Sequence, residues 1–194
     1  MMEYKGKEIR NITRFLNQYI QKHVTHSFQI RPMINFIKSQ NWKDIVGVEI
    51  GVFHGKNSYS ILKNLHMKKL YLVDPYQIYD ERDNVYDRNK KDFKQAHQLL
   101  KPFQNKRFII KTSEDAVNEI PNNLDFVYID GNHDYKHVKQ DIEKYYPKIK
   151  SKGIIGGHDF RADYECICRA VLEFVDENHL ILQGWKTDWW IVKP

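Results

Sequence analysis

An α/β domain built on a parallel sheet, with helices on both faces, is the fold class the sequence predicts. Two observations carry it. Short apolar runs alternate with helical patterns, so that residues 45–194 read as βαβαβαβαβαββ. The chain has 194 residues, 41% apolar and 29% charged, which is ordinary globular usage for about one domain of ~150 residues. Parallel strands need right-handed crossovers, which put helices on both sides of the sheet.

The elements follow in order. Residues 1–43 form an N-terminal helical extension on the substrate side. Ile12, Phe15, Leu16, Tyr19 and Ile20 keep helical spacing behind Asn11 as N-cap, and Pro32 opens a second helix with Met33, Phe36 and Ile37 on its apolar stripe. Residues 44–194 form the main domain. Its first strand, Ile45 to Ile50, ends at Gly51, and the next helix carries Tyr59, Ile61, Leu62 and Leu65. Strand two is Leu70 to Asp74, stopped by Pro75. The polar, Tyr-rich segment Tyr76 to Asn89 reads as a loop or lid, and Phe93 to Leu100 as a helix. Strand three is Phe108 to Ile110, strand four Leu124 to Asp130, and strand five Ile154 to Gly157 after a Lys152-Gly153 turn. His179 to Leu182 and Trp189 to Val192 form a closing antiparallel pair around Gln183-Gly184.

Composition removes several classes. No run approaches the ~20 apolar residues of a membrane helix, and MMEYKGKEIR lacks the apolar core of a secretory signal. Cys166 and Cys168 stand one residue apart, a poor disulfide geometry that points to a reducing cytoplasm. The net charge of +6 is compatible with an anionic partner but diffuse, and so a weak signal for a dedicated nucleic-acid role.

In open α/β sheets ligands sit at the carboxyl ends of the strands, and that is where the polar residues cluster. Strand one is followed by Glu49-x-Gly51-x-x-x-Gly55-Lys-Asn57-Ser58, whose glycines let a ligand approach the backbone before the next helix. The pattern is not G-x-G-x-x-G, which argues against a nicotinamide dinucleotide. Asp74, about 20 residues on, is positioned for ribose hydroxyls. Thr112-Ser113-Glu114-Asp115 reads either as a capping box with Ser113 as N-cap or as an adenine-edge contact. Asp130-Gly-Asn-His133-Asp-Tyr follows strand four and His158-Asp159-Phe160 follows strand five. Adjacent strands would bring Asp130, His158 and Asp159 together as an O/N ligand set for a divalent cation, the bland alternative being helix caps. His133 and His137 have zinc-like spacing but no second ligand pair.

This order of motifs resembles the class I S-adenosylmethionine-dependent methyltransferases, most closely the methyltransferase family 24 branch related to macrolide-sugar and catechol O-methyltransferases. VEIGVFHGKNS (48–58), LYLVDPY (70–76), the stretch from LDFVYIDGNHDY to GGHDF (124–160) and WWIVKP (189–194) carry the likeness. The resemblance implies a Rossmann-like seven-stranded sheet, mostly parallel with an antiparallel last strand, in three αβα layers. It implies S-adenosyl-L-methionine as cofactor, with Glu49, Gly51 and Gly55 at its methionyl end, Asn57 and Ser58 beside them, Asp74 on the ribose, Ser113 and Glu114 near adenine, and Asp130 bordering the site. Asp130, His158 and Asp159 would hold Mg²⁺ or another divalent cation, although His158 departs from the family's usual residue. His133, with Asp130, would serve catalysis as the base for a small-molecule hydroxyl acceptor.

Three rivals stand beside this reading. The first is a nucleic-acid methyltransferase. IDGNHDY stands where amino methylation of adenine needs an Asn/Asp-Pro-Pro-aromatic motif, and neither cysteine is placed for cytosine chemistry, which leaves RNA ribose O-methylation. The others are a non-catalytic cofactor-binding domain and a nicotinamide-dependent reductase. No membrane partner is expected, and the N-terminal helices leave room for a homodimer.

Overall fold

A computed structural model of the chain describes residues 2–5, 30–76 and 86–194, with backbone alone for 2–5 and 86–89. Among the described residues, one sheet of eight strands forms the centre. The strands are β1 (Met2–Lys5), β2 (Ile45–Ile50), β3 (Met67–Val73), β4 (Lys106–Ile109), β5 (Leu124–Ile129), β6 (Ile149–Gly157), β7 (Ile181–Trp185) and β8 (Asp188–Val192). Their spatial order is β1-β7-β8-β6-β5-β2-β3-β4. Strands β2 to β6 pair in parallel, while β8 runs antiparallel to both β6 and β7. The predicted seven-stranded sheet with its antiparallel last strand is therefore present. Strand β1, which the helical reading of the N-terminus does not include, adds an eighth, antiparallel to β7.

The helices are α1 (Pro32–Ser39), α2 (Lys56–Asn64), α3 (Tyr86–Leu99), α4 (Ser113–Ala116), α5 (Tyr135–Tyr145) and α6 (Glu165–Glu177). The buried side chains fall into two cores. One joins α5 and α6 to Val48, Val127, Ile129, Ile155 and Trp189. The other joins α1 and α2 to Phe126, Tyr128, Ile154 and Trp190. This split follows from strand alternation, since neighbours along β5 point to opposite faces. Every residue of β5 is buried, as expected for a central strand covered on both sides.

Several boundaries differ from expectation. Helix α3 begins at Tyr86, inside the segment read as a loop. Strand β6 starts at Ile149 and runs through Lys152-Gly153, which form a bulge with Lys152 at φ 63° rather than a turn. Gln183 and Gly184 lie within β7, and the hairpin turns at Lys186-Thr187. Helix α4 is capped by Thr112, whose side chain accepts from the Asp115 N–H, and not by Ser113. The residues proposed for the first helix, 12–20, and most of the lid, 77–85, lie outside the described residues. No helix among the described residues is long and apolar enough to cross a membrane.

Candidate cofactor and catalytic site

The site forms where β2, β5 and β6 end. Glu49, in register with Tyr128 on β5, points to the α2 face and is buried. Asn57 Nδ2 donates to its Oε1 at 2.9 Å, and the Ser58 hydroxyl donates to Oε2. Burial lifts the Glu49 carboxyl to about 8, against the opposing pull of those two hydrogen bonds. Asn57 Oδ1 is itself buried with no hydrogen-bond partner among the described residues.

The glycine loop is shaped by close approach. Gly51 has φ 84°, and a Cβ there would strike the Asp130 carbonyl; only glycine lets the ends of β2 and β5 meet this tightly. Gly55, at φ 75°, is the N-cap of α2. Asp74 faces the same loop. Its Oδ2 accepts from the Val52 and Phe53 amides, each at 2.9 Å, and its Oδ1 accepts from the Tyr76 amide at 2.8 Å. A carboxylate has about four lone-pair sites, so one remains for a sugar hydroxyl. Tyr76 closes the loop by donating its hydroxyl to the Phe53 carbonyl at 3.0 Å. Ser113 and Glu114 are both engaged with α5: Ser113 donates to buried Asp141, and Glu114 pairs with Lys144 at 2.6 Å.

The acidic and imidazole residues after β5 and β6 do converge, as the strand order requires. His158 Nδ1 lies 3.1 Å from Asp159 and 3.9 Å from Asp130, and its Nε2 bonds Thr187 at 2.8 Å. His133 Nε2 is 3.4 Å from Asp159 Oδ2, its ring edge-on to Tyr164. Asp130, His133 and Asp159 each place a ligand atom within 4.8 Å of the others. By donor chemistry, one nitrogen and two carboxylates, this trio fits a divalent cation. It contains His133, where the sequence reading had His158. Burial raises the Asp130 carboxyl, only partly offset by Arg31. At Asp159 burial is outweighed by the hydrogen bond and charge of His158, and the carboxyl is held low.

Two residues of this site were missed in the sequence. Arg31, just before α1, places Nη2 3.2 Å from Asp130 Oδ2 and Nη1 3.9 Å from Asp188 Oδ1. Asp188, at the start of β8, is buried. It accepts from the Met33 amide at 3.0 Å and from the Tyr128 hydroxyl at 3.2 Å, so it caps α1 from another element. Neither carries a local signal; only a cluster of acids awaiting a cation hinted at Arg31. Both cysteines are free. Cys168 is buried, which pushes its thiol up to about 12, the opposite of an activated nucleophile.

A glycine-bent strand-to-helix turn, an acidic residue closing the next strand, and acids beyond β5 define a nucleotide-type cofactor site on a Rossmann-like sheet. Residues 48–160 match the family model described as a methyltransferase domain, more than half the chain, and the protein belongs to that family, within the class I S-adenosylmethionine-dependent methyltransferases. An uncharacterised protein of Acanthamoeba polyphaga mimivirus is 30% identical over 126 residues, covering 62% of this chain and 53% of that protein; the chain thus spans about half the length of the curated relative it matches. Among solved structures, the O-methyltransferase NovP superposes with a TM-score of 0.63 at 16% identity, covering 84% of this chain and 77% of its own. A Streptococcus mutans protein in complex with SAH gives 0.63 at 13%, covering 89% and 100%. An rRNA methylase from Streptococcus thermophilus gives 0.56 at 16%, covering 82% and 92%. At these identities the structures share the fold.

Proposed function

We propose that this protein transfers the methyl group of S-adenosylmethionine to a hydroxyl of a small molecule such as a sugar, polyketide or phenol. The observation that carries it is the convergence of Asp130, His133, His158 and Asp159 beside the glycine loop, a proton-handling cluster adjoining a cofactor-shaped bend.

The cofactor, when bound, supplies a methyl group made electrophilic by its sulfonium. Gly51 keeps the β2–β5 end narrow enough for backbone to meet the cofactor's tail, Glu49 stands at that tail, and the free lone pair of Asp74 takes the ribose. Binding both reactants in line provides most of the acceleration, since well-oriented systems gain ~7–11 kcal/mol. His133 takes the acceptor's proton, its ring steadied by Asp159 and Tyr164. A divalent cation held by Asp130, His133 and Asp159 would lower the acceptor's pKa, and His133 would then be a ligand. A chelator separates these two uses of His133.

The test is calorimetric titration with S-adenosylhomocysteine, with and without Mg²⁺, followed by methyl transfer from labelled S-adenosylmethionine to a panel of phenols, nucleotide sugars and RNA. Transfer to a small hydroxyl supports the reading. The formal charge of +6 favours RNA ribose as the second reading, and transfer to RNA alone would replace the first with it. Tight NAD(H) binding without S-adenosylhomocysteine binding would overturn both. Cofactor affinity with no turnover on any acceptor would leave a non-catalytic binding domain.

A further inference from the structure

Among the buried polar atoms without a hydrogen-bond partner in the described residues, two on the Glu49 side of the site are of opposite kind. Arg31 Nη1 is a charged donor and Asn57 Oδ1 a neutral acceptor. Such atoms cost ~1–3 kcal/mol each unless something pairs them. Both belong to one electrostatic neighbourhood. Asn57 donates its other amide atom to Glu49, and the Arg31 and Glu49 charges act on one another. Arg31 is fixed by its backbone position at the N-cap of α1, and its Nη2 is anchored on Asp130. The second arm of the guanidinium fork, 3.9 Å from Asp188 Oδ1 yet without a hydrogen bond among the described residues, stands within the field of the buried Glu49 carboxyl.

The chemistry that satisfies this set is an α-amino acid zwitterion. Its ammonium pairs with Glu49 and Asn57 Oδ1, and its carboxylate with a guanidinium. Resting on the methyltransferase reading above, we propose that Arg31 binds the carboxylate of the cofactor's methionyl tail, with Glu49 and Asn57 receiving its ammonium. Lysine cannot replace it fully, because one planar fork must hold Asp130 and the ligand carboxylate together. Arg31, just ahead of α1, thus completes the cofactor site, and a chain cut after Arg31 would lose the contact while keeping every motif residue from Glu49 to Asp159.

Decarboxylated S-adenosylmethionine, which lacks only the carboxylate, isolates the contact. In wild type, S-adenosylmethionine should bind about 10- to 100-fold more tightly than the decarboxylated compound. Arg31→Met should abolish that preference, weakening S-adenosylmethionine by the same factor and leaving decarboxylated binding within about twofold. Arg31→Lys, which keeps a charge beside Asp130 and Asp188, should retain part of the preference and guards against misfolding of the Met variant. Equal weakening of both ligands would assign Arg31 a structural role through Asp130 and overturn the proposal, as would no change in either. Wild type that binds both ligands equally overturns it too. Wild type that binds neither overturns the methyltransferase reading itself, and this proposal with it.

Discussion

Asp74 illustrates how much one carboxylate does here. It gathers three backbone amides from the glycine loop and its own turn, so it fixes the loop before any ribose arrives. Asp74→Ala should weaken S-adenosylhomocysteine binding by ~1.5–3 kcal/mol through lost charge-assisted hydrogen bonds; an unchanged dissociation constant by calorimetry would remove Asp74 from the site. Glu49 makes a different prediction. Free, it is protonated at pH 7 because burial lifts it to about 8; beside a bound ammonium it ionises. Binding at pH 7 should release close to one proton, visible as a binding enthalpy that tracks buffer ionisation, and Glu49→Gln should erase that dependence. At the proton-handling end, Asp159→Asn should leave cofactor affinity within a few fold and remove metal-stimulated turnover. Activity indifferent to chelators would end the cation proposal and leave His133 as base.

Elements set where these side chains stand. Adjacent parallel pairing of β5 and β6, with Ile129 opposite Gly157, is what brings Asp130 to His158 and Asp159 across 28 residues of sequence. Strand β8 then seals β6, and Gly156 is the tight point: a Cβ there would meet the Trp189 carbonyl and crowd Met33 and Trp190. Gly156→Ala should therefore destabilise by ~1–3 kcal/mol, read from the denaturation midpoint at unchanged m-value. Elements whose signal is local were legible in the sequence: the apolar run of β5, the Pro32 start of α1, the Gly51 end of β2. Where the signal is not local, the reading shifted. Helix α3 extends back from Phe93 to Tyr86 through a polar stretch with few apolar anchors, since once nucleated a helix adds about two such turns at little cost. The β7–β8 hairpin turns at Lys186 instead of Gln183-Gly184, because Gly184 is needed within the strand opposite Trp189.

At the scale of the whole molecule, several carboxyls are buried before any ligand compensates them. Burial lifts Glu49 to about 8, Asp188 and Asp141 to about 6, and Asp130 in the same direction. Each binds its proton more tightly folded than unfolded, where carboxyls titrate near ~4. Their stabilising contribution is complete below that value and is lost as pH rises through the folded ones. Asp159, held low by His158 against the opposing effect of burial, works the other way, as do Glu114, Glu119 and Glu173, but those three pair with lysine or arginine at the surface, where solvent screens the effect. The ligand-free protein should lose melting temperature between about pH 5 and pH 8, and saturating S-adenosylhomocysteine should flatten that fall by giving Glu49 a cation. A melting temperature that climbs across the same interval without ligand would contradict the burial of these charges.

The sequence by itself determined the alternation of strands and helices, the glycine bend after β2 and the acids that end β3, β5 and β6, because each of these is written in neighbouring residues as periodicity, backbone freedom or charge. Only the tertiary structure decided that Arg31 and Asp188, 157 positions apart, meet beside Asp130, that His133 joins Asp130 and Asp159 in one cluster, and that Met2–Lys5 extends the sheet. Those outcomes depend on which strands become neighbours and on which buried charges find partners, and both are settled by packing over long sequence distances.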